Sequence, residues 1–267
     1  MSKGLSKGVL AARNLMQECG IDDVTTISLE DLVAYKGALL VEEKMHNADG
    51  RIIHGNRRSI IKVNSEIQYL GRKRFTIAHE LGHLLMHRDY PIHSDMKSLD
   101  WFDSALKNLN TGFQELEANE FASELLMPAD LFKCEVRYKK FNPDLLRSLA
   151  DRFQTSITSV AFKCVEMNVH PICLFFISDG VIKYWNKSDS FKYCITDRNK
   201  MPPHEYTVAT EYIDAGYEPV YTKEDSQQEI NKSAWFDVRD GDEDEAFYEY
   251  CIPTKQYKTI LSVVWHD

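Results

Sequence analysis

The residues of this chain that could do chemistry gather in two short segments. The first is RFTIAHELGHLLMH, residues 74–87, which carries His79, Glu80, His83 and His87. Two histidines four positions apart lie on one face of a helix, so their imidazoles can converge on one metal ion. Glu80 lies about 100° round the helix from His79 and cannot join them as a ligand. It can instead take a proton from water activated at that ion. Zinc suits this task, because it lowers the pKa of bound water and polarises a carbonyl. The expected centre is therefore zinc held by His79 and His83, with Glu80 as catalytic base. His87 shares the histidine face but lies about 12 Å along the axis from His79. Bonds near 2 Å cannot span that, so His87 is expected to support a ligand rather than to be one.

A third ligand has to come from another element. The second segment, ELEANEFASELLMP, residues 115–128, offers Glu115, Glu117, Glu120 and Glu124. On a helical wheel Ala118, Phe121, Ala122, Leu125 and Leu126 mark the buried side, centred about 50° from Glu115. Glu117 is about 110° from that centre, and Glu120 and Glu124 are farther still. Glu115 thus points most nearly into the protein, and the other three are expected on a solvated face. Asn119, one turn beyond Glu115, is expected to orient it.

The two segments, in this order, resemble the ImmA/IrrE family of metallopeptidases, and the resemblance extends over roughly residues 5–167. In that family the HExxH histidines and a glutamate three residues before an Ala-Asn pair bind zinc. Those roles fall here on His79, His83 and Glu115, and the HExxH glutamate is Glu80. The resemblance implies a zincin-like helical endopeptidase that cleaves a helix-turn-helix transcriptional repressor and so derepresses stress, phage-defence or mobile-element genes. Some members carry a GAF-like sensory domain, and the C-terminal part of this chain is compatible with one. The competing class is a signal-binding regulatory module whose zinc site is structural; substitution of Glu80 separates the two.

The elements that must position these residues read as follows. Residues 5–19 form an amphipathic helix, and Ser28 caps a second one that ends before Gly37. Strands at 38–42 and 59–63 flank a polar loop with Asn47, Asp49 and Gly50. The second strand leads into the metal helix, and a free edge on it could pair with an extended substrate. Residues 88–113 are an irregular stretch, in which Tyr90 and His93 are candidate helpers for a developing oxyanion. A helix over 114–127 is stopped by Pro128. Helices at 145–153 and 157–167, joined by Gln-Thr-Ser, resemble a helix-turn-helix. Their cations and anions balance, so they are read as a hairpin packed on the peptidase core. ICLFFI (172–177) and VIKYW (181–185) form a β-hairpin, followed by strands at 234–238, 246–252 and 259–265. The fold class is α+β. Residues 1–169 are the peptidase domain, with the helical hairpin at its end, and residues 170–267 are a β-rich regulatory domain.

Composition narrows the setting. The chain has 43% hydrophobic and 27% charged residues, ordinary for a folded soluble protein. No run of about 20 apolar residues exists to span a membrane. The six cysteines are scattered without a CxxC pair, which fits the cytoplasm. Of the net charge of −9, residues 179–267 carry 10 Lys/Arg against 18 Asp/Glu, a net −8. Phosphate binding needs clustered cations, so nucleic acid is a poor partner here. The C-terminal segment has no metal-spaced cluster or phosphate loop, and is expected to receive an activating signal rather than to do chemistry. The acidic run 237–245 is expected to be a solvated loop.

Overall fold

The computed structural model describes residues 5–46, 48–88, 112–196, 200–238 and 245–266. The chain divides into two compact units, Met1–Glu135 with Ala150–Ser156, and Val136–Leu149 with Ile157–Asp267.

In the first unit, helix α1 (Lys7–Cys19) starts at Ser6, whose hydroxyl accepts from the Val9 N–H, and stops at Gly20, which has φ 65°. Helix α2 (Leu29–Tyr35) is capped by Ser28, as its sequence suggests. A three-stranded sheet follows: β1 (Ala38–Glu43), β2 (Gly50–Ile53) and β3 (Ser59–Asn64). Its order is β1-β3-β2, with β3 parallel to β1 and antiparallel to β2. The expected free edge on the strand before the metal helix is therefore not there, because β3 is central and hydrogen-bonded on both sides. The outer strands are β1 and β2. Strand β2 escapes sequence reading because it is only four residues long and begins inside the polar loop.

Helices α3 (Leu70–Met86), α4 (Gly112–Leu126) and α5 (Ala129–Val136) follow. Leu15, Leu32, Ile61, Ala78, Leu81 and Phe121 belong to one buried core. Helix α4 packs against both α1 and α3. That corrects the expectation for Glu124, which is only 2% exposed and pairs with Arg13 of α1 at 2.8 Å. The wheel allowed α4 one apolar face; α1 covers a second.

In the second unit, β4 (Ile172–Ser178), β5 (Val181–Lys187), β6 (Gln228–Asn231), β7 (Ala246–Thr254) and β8 (Thr259–Trp265) form an antiparallel sheet of order β5-β4-β8-β7-β6. One core joins Phe175, Phe247 and Val264 of this sheet to Val208 and Tyr212 of helix α8 (Val208–Asp214) and to Phe191, Trp235 and Phe236. The expected strand at 234–238 is not formed. Lys232–Ala234 is a 3-10 turn, and Phe236 makes only an isolated bridge to Ile195. Burial of Trp235 and Phe236 in the aromatic core, not strand pairing, explains their apolar character.

Helices α6 (Pro143–Phe153) and α7 (Ile157–Glu166) are those read as a hairpin on the peptidase core. The packing differs. Residues 150–156 join the first unit, whereas 136–149 and 157–166 join the second. There α7 packs on β4, Arg147 lies over the Tyr250 ring, and the Phe141 and Trp265 rings meet edge to face at 4.9 Å. Among the described residues no helix is long and apolar enough to cross a membrane. Residues 239–244 of the acidic run lie outside the described residues.

Candidate metal centre

Helix α3 presents the histidines. Its inner side carries Ile77, Ala78, Leu81 and Leu84, all buried, which fixes its rotation. Helix α4 comes close at Gly82, where an added Cβ would stand 3.0 Å from Phe121 Cδ1. A glycine there removes the side chain that would hold the helices apart. Beside this close approach, His79 and His83 of α3 meet Glu115 of α4.

The three donor groups close into a triangle. His79 Nε2 and His83 Nε2 are 3.0 Å apart. Glu115 Oε2 is 3.2 Å from His79 Nε2, and Glu115 Oε1 is 3.4 Å from His83 Nε2. Ligand atoms of the three residues lie within 4.8 Å of one another. A tetrahedral ion with bonds of about 2.0–2.1 Å needs donors about 3.3 Å apart. The donor set, two imidazoles and a carboxylate, and its spacing both fit zinc.

Electrostatics agree with a ligand role. Burial pushes His83 down to about 4, with the neighbouring His79 and His87 adding to the effect against Glu115. His83 is thus neutral near pH 7, as a ligand must be. Burial alone would raise Glu115, but the facing His79 and His83 imidazoles outweigh it and hold the carboxyl well below its usual range. Burial lowers His79, and Glu115, Glu80 and Asn119 reverse this to a net rise.

Supporting contacts differ from the sequence reading at one residue. Asn119 Oδ1 lies 2.7 Å from His79 Nδ1 and so orients His79, not Glu115. One turn along α4 from Glu115, its side chain crosses to α3. His87 is buried at 1% exposure and lies 2.9 Å, Nδ1 to Nδ1, from His83. It stands behind His83, as its distance along the helix requires. Glu80 is buried on the same helix, and its side chain lies against Gly50 of β2, a neighbour with no motif to signal it. Tyr90 and His93 lie outside the described residues.

Paired helices bring together, beside a small mixed sheet, a His-His-carboxylate triangle that could hold a metal ion. Residues 33–165 match the family Peptidase_M78, the IrrE N-terminal-like domain, and through that domain the chain belongs to this peptidase family. In overall fold the chain is similar to a Mycobacterium tuberculosis transcriptional regulator, with a TM-score of 0.60 and 14% identity, over 97% of this chain and 76% of that one. No curated protein matches the sequence significantly.

Proposed function

We propose that this protein is a zinc-dependent cytoplasmic endopeptidase that cleaves a helix-turn-helix transcriptional repressor. The observation that carries this is the closure of His79, His83 and Glu115 into one triangle of donor atoms. These three would hold the ion. When bound, zinc supplies a Lewis acid that lowers the pKa of water and polarises the scissile carbonyl. Glu80 takes the proton from the attacking water and delivers it to the departing amine. Asn119 accepts from His79 Nδ1 and keeps the Nε2 lone pair aimed at the centre. Family membership supports the repressor class, and the fold likeness to a transcriptional regulator accords with a regulatory setting.

The strand-rich segment 170–267, which is part of the second compact unit and compatible with a GAF-like module, receives the activating signal in this reading. Its described residues hold an aromatic core and no cluster of three metal donors. Its acidic balance favours a small-molecule ligand over nucleic acid. Co-expression with small repressors encoded nearby, read by intact-mass analysis, tests the proposal. A repressor cut by the wild type and left whole by Glu80→Gln is the expected result. Equal signalling output from both proteins, without cleavage, would favour a binding module with a structural zinc site.

A further inference from the structure

Behind the metal centre runs a line of four side chains that ends on the N-terminal helix. His83 Nδ1 is 2.9 Å from His87 Nδ1. His87 Nε2 is 2.8 Å from Glu117 Oε2, and Glu117 Oε2 is 2.8 Å from Lys7 Nζ. His83 and His87 are each 1% exposed, so this path is largely shielded from water. Helix α1 falls outside the family-matched segment 33–165, and that match gives it no role.

With His87 neutral, the donors and acceptors along the line fall into one order. An ionised carboxylate only accepts, so Glu117 receives the proton on His87 Nε2. A neutral His87 then carries its lone pair on Nδ1, which can only accept from His83 Nδ1–H. His83 in turn carries its lone pair on Nε2, the atom that faces His79 and Glu115. The acceptor at one end therefore fixes the tautomer of a ligand two residues away. Lys7 holds that acceptor in place and keeps it charged.

Helix α1 is seated to do this. An added Cβ at Gly8 would fall 2.2 Å from the Glu117 backbone oxygen and 2.9 Å from the Phe121 nitrogen. The glycine next to Lys7 lets the α1 backbone press onto α4 at Glu117. A second pair, Arg13 with Glu124 at 2.8 Å, joins the same two helices at a place away from the line.

We propose that α1 is a positioning element of the metal centre, and that Lys7 and Glu117 act through His87 to fix the tautomer of His83. This rests on the zinc-site reading above. The experiment uses the full-length chain and zinc alone, with dissociation constants from chelator competition. Glu117→Gln keeps the shape, but its amide can donate to His87 Nε2 and so let the line invert. It is expected to weaken zinc binding about 10–100-fold. Lys7→Met is expected to weaken it about 3-fold, as befits a partly exposed ion pair. Arg13→Met loosens the same helix pair and is expected to leave affinity within about 2-fold of wild type, below the effect of one ion pair. In the metal-free protein, 15N NMR is expected to find the proton of His87 on Nε2, and on Nδ1 in Glu117→Gln. Unchanged affinity in Glu117→Gln, or an equal loss in Arg13→Met and Lys7→Met, would overturn the proposal. A wild-type chain that bound no zinc would instead overturn the metal-centre reading, while the tautomer measurement would still judge the line.

Discussion

Gly50 lies against the side chain of Glu80: a Cβ added at Gly50 would stand 2.9 Å from Glu80 Oε1, 3.0 Å from its Cγ and 2.5 Å from Thr76 Cγ2. The start of β2 thus forms the wall that holds the expected base. Asp49, next to it, is anchored by a forked contact with Arg72 at 2.6–2.9 Å, and the Asp49 carbonyl accepts from Asn64 N–H at 2.8 Å. A methyl group at position 50 must push Glu80 or β2 aside. Gly50→Ala is expected to retain zinc, to lose about 1–3 kcal/mol of stability through overpacking, and to lose about 10-fold or more in cleavage rate through misplacement of the base. Wild-type turnover in a stably folded Gly50→Ala protein would contradict this.

Glu80→Gln is expected to separate binding from chemistry. Glu80 is not one of the converging donors, so zinc content should stay at one per chain. Hydrolysis should fall by about 10²–10⁴, the usual contribution of a positioned base. Zinc content by atomic spectrometry and cleavage by mass analysis check the two halves separately.

His79→Ala and Asn119→Leu should form a graded pair. The first removes a donor from the triangle and is expected to abolish stoichiometric zinc binding. The second leaves the donors but removes the acceptor 2.7 Å from His79 Nδ1. A loss of about 10–100-fold in zinc affinity is expected, measured by chelator competition. Full occupancy in His79→Ala would remove His79 from the ligand set.

Arg152 ties three segments of the first unit, with Asp23 at 2.7 Å and Glu135 at 2.9 Å. Burial would raise the pKa of Asp23, but hydrogen bonds from Thr25 and Arg152 and the Arg152 charge bring it below 3.8. A carboxyl depressed in the folded state adds stability above its unfolded pKa and loses it as pH falls through the folded value. Arg152→Met is therefore expected to cost about 1 kcal/mol at neutral pH. The difference from wild type should shrink as the pH drops below 3.8. Urea denaturation at both pH values reads it; a gap that widens in acid would show the sign to be wrong.

Glu249 is the buried carboxylate of the second unit, at 0% exposure. It accepts from Val208 N–H at 2.9 Å, Ala209 N–H at 3.2 Å and Ser262 Oγ at 2.7 Å, pinning the start of α8 to β7 and β8. Glu249→Leu would strand two backbone donors, at a cost of about 2–4 kcal/mol. Glu249→Gln keeps an acceptor and should cost less. Denaturant melts of the two variants check the order.

The sequence by itself determined the local chemistry. An HExxH on a helical period must put His79 and His83 on one face and Glu80 off it, whatever surrounds them. The wheel of residues 115–128 aimed Glu115 inward, because apolar burial sets the rotation of a helix. Ser28 as a cap, Pro128 as a stop and the hairpin 172–185 were legible for the same reason: each depends on residues within a turn or two. The tertiary structure alone decided what depends on distant partners. Glu124 is buried because α1 lies over it, and β3 lacks a free edge because four residues of β2 pair with it. Asn119 serves His79 rather than Glu115, and 234–238 forms no strand because Trp235 and Phe236 fill an aromatic core. Gly50 against Glu80, and Lys7 reaching His83 through Glu117 and His87, join positions 30 to 110 residues apart. No periodicity encodes such pairs; packing creates them once the helices and the sheet meet.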